Sequence, residues 1–178
     1  PLFPYGDAEH AATSINEAYD VAVDGCEIVL VAKAHTLDST IVYSKGVTIR
    51  GETGRPEDVE LRMGSGGAYR LFNLNNRDAF IHGLTLGGFG SNNGYNFDAF
   101  CAYFEPGGGC ISNCVLRNGV SIHWGGSGAA AHLNSDNAIL THCIITNNQI
   151  GCSDGCEKGM AGVIDRGRME NCLVAYNA

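Results

Sequence analysis

The spacing of apolar positions changes once along this chain. Near the start it is helical. Ile15, Ala18, Tyr19 and Ala22 fall at i, i+3, i+4 and i+7, forming one apolar stripe. Ser14-Ile15-Asn16-Glu17 reads as a capping box: the serine oxygen accepts from the backbone N–H of Glu17, and the glutamate reaches back. Asp24-Gly25 supplies the stop, with Gly25 free to take a positive φ. The pattern predicts a helix over about 14–24 with one apolar face that has to cover something.

After that the pattern is one of strands. Glu27 to Ala32 is a β-branched run that predicts a buried strand. Ser39 to Tyr43, Val47 to Gly51 and Val59 to Leu61 predict further short strands. Beyond residue 80 the chain repeats itself without gaps. The matching segments are Ile81 to Gly88, Ile111 to Asn118, Leu140 to Asn147 and Met169 to Tyr176, which begin 30, 29 and 29 residues apart. Gly46 to Gly51 reads as an earlier member, with Val47 matching Leu84 and Ile49 matching Leu86. Each period also holds an upstream strand: Tyr69 to Leu74, Ala99 to Phe104, Ala129 to Leu133 and Gly159 to Ile164.

A fixed period of this length makes each repeat one layer of a solenoid, because one layer cannot bury its apolar side alone. Helical repeats are excluded, since no 3.6-residue pattern recurs. A leucine-rich repeat lacks its consensus. The expected fold is all-β: a right-handed parallel β-helix in one domain over 1–178. Residues 1–25 would form an N-terminal cap and 26–178 the coils. The helix would cover the strand edges of the first coil. Ala178 follows a repeat strand in mid-coil, so an uncapped C-terminal end is expected. Either the solenoid is longer or another chain covers that end, which makes self-association through the last coil an expectation.

Composition agrees with this fold. Gly is 25 of 178 residues, about twice the usual share, which suits many tight turns between short strands. The net charge of −8 and the lack of any Lys/Arg run argue against a nucleic-acid partner and against docking on an anionic membrane. No apolar run approaches a membrane span; the aliphatic stretch Ile28 to Ala32 is far short of one. The opening Pro1-Leu2-Phe3-Pro4 has no signal-peptide pattern, which fits a mature fragment and a cytosolic protein equally.

The eight cysteines carry most of the candidate chemistry. Cys114, Cys143 and Cys172 occupy one repeat position and should stack as an inward ladder of small apolar side chains. Coils about 4.8 Å apart are too far apart for thiolates on a ladder to share a zinc at about 2.3 Å, so no metal site is expected. Cys152 and Cys156 flank an Asp-Gly turn and could form a local disulfide. Cys101 and Cys110 read as flanking one turn and could also bridge, while Cys26 has no evident partner. Two such bridges would imply an oxidising compartment.

Asn118 and Asn147 end equivalent strands, where asparagine tolerates left-handed backbone and its amides can bond up a column. Asp165, Arg166 and Arg168 cluster between two strands and read as a solvated turn. His82, His123, His132 and His142 share no column with a serine or a carboxylate pair. Three longer loops, Gly87 to Asp98, Asn118 to Gly128 and Asn147 to Gly159, leave equivalent strands and should emerge on one side. Phe89, Tyr95, Phe97, His123 and Trp124 on these loops, with amides such as Asn92, Asn93 and Asn96, suit sugar stacking or a protein partner.

Two stretches carry a family resemblance. Ala12 to Gly51, ending in Gly46-Val47-Thr48-Ile49-Arg50-Gly51, resembles the start of pectin-lyase-like right-handed β-helix proteins. Cys114 to Asn118 and Cys143 to Asn147 resemble the strand-and-asparagine units of large bacterial surface β-helices of the autotransporter adhesin type, and Gly107 to Ile111 resembles their glycine-rich turn entering a strand. Those adhesins usually carry phenylalanine where Cys114 and Cys143 stand, and no complete lyase constellation carries over. The resemblance implies fold more than activity. It leads to the expectation of a non-catalytic, secreted or cell-surface module binding a glycan or a host or cell-surface protein, without a cofactor. A polysaccharide lyase or hydrolase, with Ca²⁺ as its cofactor, and a scaffold subunit of an extracellular assembly are the alternatives.

Overall fold

The computed structural model describes residues 11–64, 70–87, 101–121, 130–150 and 162–177. It is a parallel β-solenoid with one short helix near the N-terminus among these residues. Helix α1 is Ile15–Val21, capped by the Ser14 hydroxyl accepting from Glu17 N at 3.1 Å. The Glu17 carboxylate accepts from the Thr13 hydroxyl at 2.8 Å. The helix is shorter than the expected 14–24, because Ala22 is already extended (φ −63°, ψ 150°). Gly25 does take a positive φ of 82°, but in the turn that leads into the first strand, with its N–H donating to Gly46 O at 2.8 Å. The apolar stripe covers the first coil as expected. Ile15, Tyr19 and Ala22 join the core, and the Tyr19 ring lies 5.0 Å from that of Tyr43.

The strands are β1 (Glu27–Leu30), β2 (Ala34–Leu37), β3 (Ile41–Tyr43), β4 (Thr48–Gly51), β5 (Glu60–Met63), β6 (Phe72–His82), β7 (Thr85–Gly87), β8 (Ala102–Ser112) and β9 (Val115–Arg117). They continue as β10 (Val120–Ser121), β11 (Ala131–Leu133), β12 (Ala138–Thr141), β13 (Ile144–Thr146), β14 (Gln149–Ile150), β15 (Gly162–Ile164), β16 (Arg168–Glu170) and β17 (Leu173–Ala175). All pairs are parallel. One sheet follows the path β1-β4-β6-β8-β11-β15, with β3 on β6 and β12 joining β8 to β16; the second runs β17-β13-β9-β7-β5-β2; β10 and β14 pair separately.

Stacking sets like on like. Ile28, Ile49, Ile81, Ile111, Leu140 and Met169 form one inward column. Leu61, Leu86, Leu116, Ile145 and Val174 form another. Most of these side chains are fully buried, while those of the last described coil are exposed, with Met169 at 38% and Val174 at 47%.

The repeat register beyond residue 80 is the one the sequence predicts, but the earlier member is displaced. Ile49 pairs with Ile81, not Leu86, and Leu86 pairs with Leu61. Gly46 to Gly51 therefore belongs to the upstream half of its coil. The run Glu27 to Ala32 is not buried throughout: the strand ends at Leu30, which is buried, while Val29 is exposed because alternation turns it outward beside Arg50, and Val31 lies past the strand and is exposed. Strand β2 was not foreseen. The upstream and repeat strands expected as separate pieces fuse into the 11-residue β6 and β8. The glycines at 107–109 bend β8 rather than precede it. At Gly108 (φ 75°) an added Cβ would sit 2.6 Å from Asn137.

Corners are made by residues in left-handed backbone. Gly83 (φ 64°), Asn113 (φ 48°), His142 (φ 53°) and Asn171 (φ 52°) make one column of them; Asn118 (φ 59°), Asn147 (φ 54°) and Tyr176 (φ 56°) make a second. Asn118 and Asn147 thus take the expected backbone, but the amide ladder lies one residue later. Gly119 N donates to Asn148 Oδ1 at 2.9 Å and Asn148 N to Asn177 Oδ1 at 3.0 Å, while Asn148 Nδ2 and Asn177 Nδ2 donate to Leu116 O and Ile145 O at 3.1 and 2.9 Å. The left-handed residue turns its own side chain outward and the next one inward, where backbone groups need partners.

Two substitutions test this. Gly83→Ala should cost about 3 kcal/mol, since it adds left-handed strain and a Cβ 2.9 Å from the Gly54 backbone. Asn148→Ala, which orphans buried groups, should cost about 2–4 kcal/mol, whereas Asn147→Gly should change stability by less than about 1 kcal/mol. Denaturant unfolding with an unchanged slope is the measurement.

Candidate functional site

Three strands share an apolar–polar–apolar triplet: Phe72-Asn73-Leu74, Ala102-Tyr103-Phe104 and Ala131-His132-Leu133. The outer two residues of each are buried in the core, so the middle one faces outward. Register stacks Val42, Asn73, Tyr103 and His132 in one outward column.

Flanking residues close on this column. The Arg70 guanidinium lies 4.8 Å over the Tyr103 ring and donates to Asn73 Oδ1 at 3.0 Å. The His132 ring meets Tyr103 edge-on at 4.9 Å. Asn134 Nδ2 donates to the Tyr103 hydroxyl at 2.9 Å. His132 Nε2 lies 2.7 Å from Asp165 Oδ2. An ionised carboxylate only accepts, so the imidazole nitrogen donates. His132 is buried and Asp165 exposed, so a covered ring holds a surface carboxylate. A cation over an aromatic face contributes about 0.5–1 kcal/mol at a partly exposed site.

The position of this cluster along the chain is informative. Tyr103 and His132 stand within three residues of Cys101 and Ala130, where the longest segments between described strands return. Phe89, Tyr95, Phe97, His123 and Trp124 lie on those segments, outside the described residues, as does the Cys152–Cys156 pair. Of the three expected loops, the second and third begin with the short paired strands β10 and β14.

Other expected sites are rearranged. Cys101 and Cys110 are free thiols; the continuous strand β8 separates them, so they do not flank one turn. The Asp165, Arg166 and Arg168 cluster divides: Asp165 turns to His132, while Arg168 pairs with Glu170 at 2.7 Å. His82 does share a column with a serine, since it pairs in register with Ser112. His132 gains the carboxylate partner that sequence spacing hid, 33 residues away. Arg70, Tyr103 and Asn134 had not been singled out. The signal was there in the repeated triplet, one polar residue at the same outward place in successive upstream strands.

On the second sheet Glu60 accepts from Arg62 and Arg117, and Arg62 above all holds its carboxyl below the usual range. That group spends its charge internally. Among the described residues no three His, Cys, Asp or Glu side chains are placed together to hold a metal ion, and no helix is long and apolar enough to cross a membrane.

No family model matches the chain, and no curated protein or solved structure matches it significantly. The parallel β-solenoid is established by the structure alone.

The repeated cysteines form a regular donor series. Cys114, Cys143 and Cys172 Sγ each donate to the carbonyl two residues back, Ser112, Thr141 and Glu170 O, all at 3.2 Å. Cys143 N in turn donates to Cys172 Sγ at 3.5 Å. Cys114 and Cys143 are buried and Cys172 partly so. Burial pushes the Cys101 and Cys143 thiols up from 9.0 to about 12, and Cys114 higher still. Folded thiols thus keep protons that unfolded ones release above about pH 9. Their contribution to stability is complete below that pH and is lost as pH rises toward 12. Unfolding midpoints should fall between pH 9 and 10.5, and fall less in Cys143→Ala. In native protein at pH 8.5, alkylation mapped by mass spectrometry should spare Cys101, Cys114 and Cys143.

Proposed function

We propose that this chain is a non-catalytic β-helix module of a secreted or cell-surface protein, which presents a binding face to a glycan or to a protein on another surface. The observation that carries this reading is the outward cluster of Arg70, Tyr103, His132, Asn134 and Asp165. It combines an aromatic ring, amides and charges on a rigid stack of strands, at the points where the long segments rejoin the coils. Binding residues concentrate on loops held by a rigid scaffold, and here scaffold and loop ends meet. The aromatic residues expected to bind, among them Trp124, belong to those same segments.

One observation favours a second reading. An imidazole oriented by a carboxylate, as His132 is by Asp165, is an arrangement used by general bases. It would suit a polysaccharide-cleaving enzyme, with Ca²⁺ as cofactor.

One experiment separates the two. The purified chain is incubated with neutral and acidic polysaccharides, with and without Ca²⁺, and both retention and chain shortening are scored. Retention without shortening, weakened about tenfold or more in Tyr103→Ala (~1.4 kcal/mol), is the expected result. Shortening that disappears in His132→Ala would move the case to an enzyme. Retention unaffected by Tyr103→Ala would remove this face from the binding account.

A further inference from the structure

We infer that the ligand of the Tyr103–Asp165 face is an uncharged, hydroxyl-rich chain, a neutral glycan, and that Asp165 accepts directly from its hydroxyls. The inference rests on the binding reading above and narrows it to one chemical class.

The argument is an inventory of donors and acceptors. The Tyr103 hydroxyl accepts from Asn134, so its own proton is left to donate outward. Asn134 spends an N–H on that bond and keeps its side-chain carbonyl as an acceptor. Asp165 gives Oδ2 to His132 and keeps Oδ1. Among the described residues, neither the tyrosine proton nor these two oxygens has a partner. Tyr103 and Asn134 are partly exposed, and the Asp165 side chain is 57% exposed. Asn134 and Asp165 directly follow Leu133 and Ile164, which are paired across adjacent coils. Two acceptors and one donor therefore lie beside an aromatic ring, one rung apart.

This set matches sugar hydroxyls, each of which both donates and accepts. It opposes a polyanion. The remaining oxygen at the exposed end belongs to an ionised carboxylate, and like charges at close range are costly. Arg70, the cation within the cluster, is committed to the Tyr103 ring and to Asn73, which leaves the exposed Arg166, next to Asp165, as the nearby cation a polyanion would have to use. The net charge of −8 adds long-range repulsion.

The test is affinity electrophoresis or calorimetry at about 0.15 M salt, using a neutral glucan, a neutral mannan and a polyuronate of similar length. At least one neutral chain should bind ten times or more tighter than the polyuronate. Asp165→Asn should weaken neutral binding about tenfold and narrow that preference. Tyr103→Phe, which keeps the ring and removes the donor, should weaken it a few-fold. Unchanged circular dichroism and melting midpoint in both variants secure the comparison, since Asp165 is exposed and asparagine is isosteric. A polyuronate bound as tightly as any neutral chain, and lost in Arg166→Ala, would overturn the inference while leaving the binding face intact. No retention of any glycan would overturn both.

Discussion

Parallel strands stacked in register put identical positions of successive coils about 4.8 Å apart, and every coil must then turn its corners at the same place. The solenoid meets that demand with left-handed residues at fixed sites: Gly83, Asn113, His142 and Asn171 at one corner, Asn118, Asn147 and Tyr176 at the other. These corners set which side chains face inward. A corner displaced by one residue would turn the Ile81–Ile111–Leu140 column out to solvent. Tyrosine at one of the sites shows that the stack can impose a conformation that a bulky side chain's own preference opposes.

Corners also create a problem of unpaired backbone groups, and the side chains just after them solve it. After the first corner the residue is Leu84 in one coil and, in the next three, a cysteine (Cys114, Cys143, Cys172) whose thiol donates to a carbonyl two residues back. After the second it is Gly119, Asn148 or Asn177, and the two amides accept from the preceding coil and donate into it. The polar content of the interior is therefore structural. The thiols expected as small apolar packing residues also serve as hydrogen-bond donors, Cys114 and Cys143 buried and Cys172 partly so. On the outer face side chains do not have to serve the stack, and there the Arg70, Tyr103, His132, Asn134 and Asp165 cluster lies.

How much the sequence disclosed follows from this division. Residues that repeat with the coil were legible: the columns beyond residue 80, the inward cysteines and the left-handed asparagines are periodic, and periodicity is what a sequence displays. The early coils were less so. Gly46 to Gly51 has the same local chemistry in two registers, and only the three-dimensional pairing of Ile49 with Ile81 decides between them. The merging of short strands into β6 and β8 was hidden because glycines and asparagines signal turns even where, as at Gly108 (φ 75°), they only bend a strand that continues. The candidate site was partly hidden for another reason. Asp165 meets His132 across 33 residues, a spacing set by coil length and corner geometry together, and no local motif marks it.

The points where the chain leaves and rejoins the stack are themselves stacked. It rejoins at Ala102, Ala131 and Gly162, which are direct ladder neighbours, and Ser121 and Ile150 pair where it departs. Segments anchored this closely cannot vary independently in sequence. A residue enlarged near the base of one meets the bases of its neighbours, so accepted changes there should come in sets spaced by one coil. The regularity of the stack thus couples neighbouring layers of its surface to one another. Such a surface changes through concerted replacement across adjacent layers rather than residue by residue.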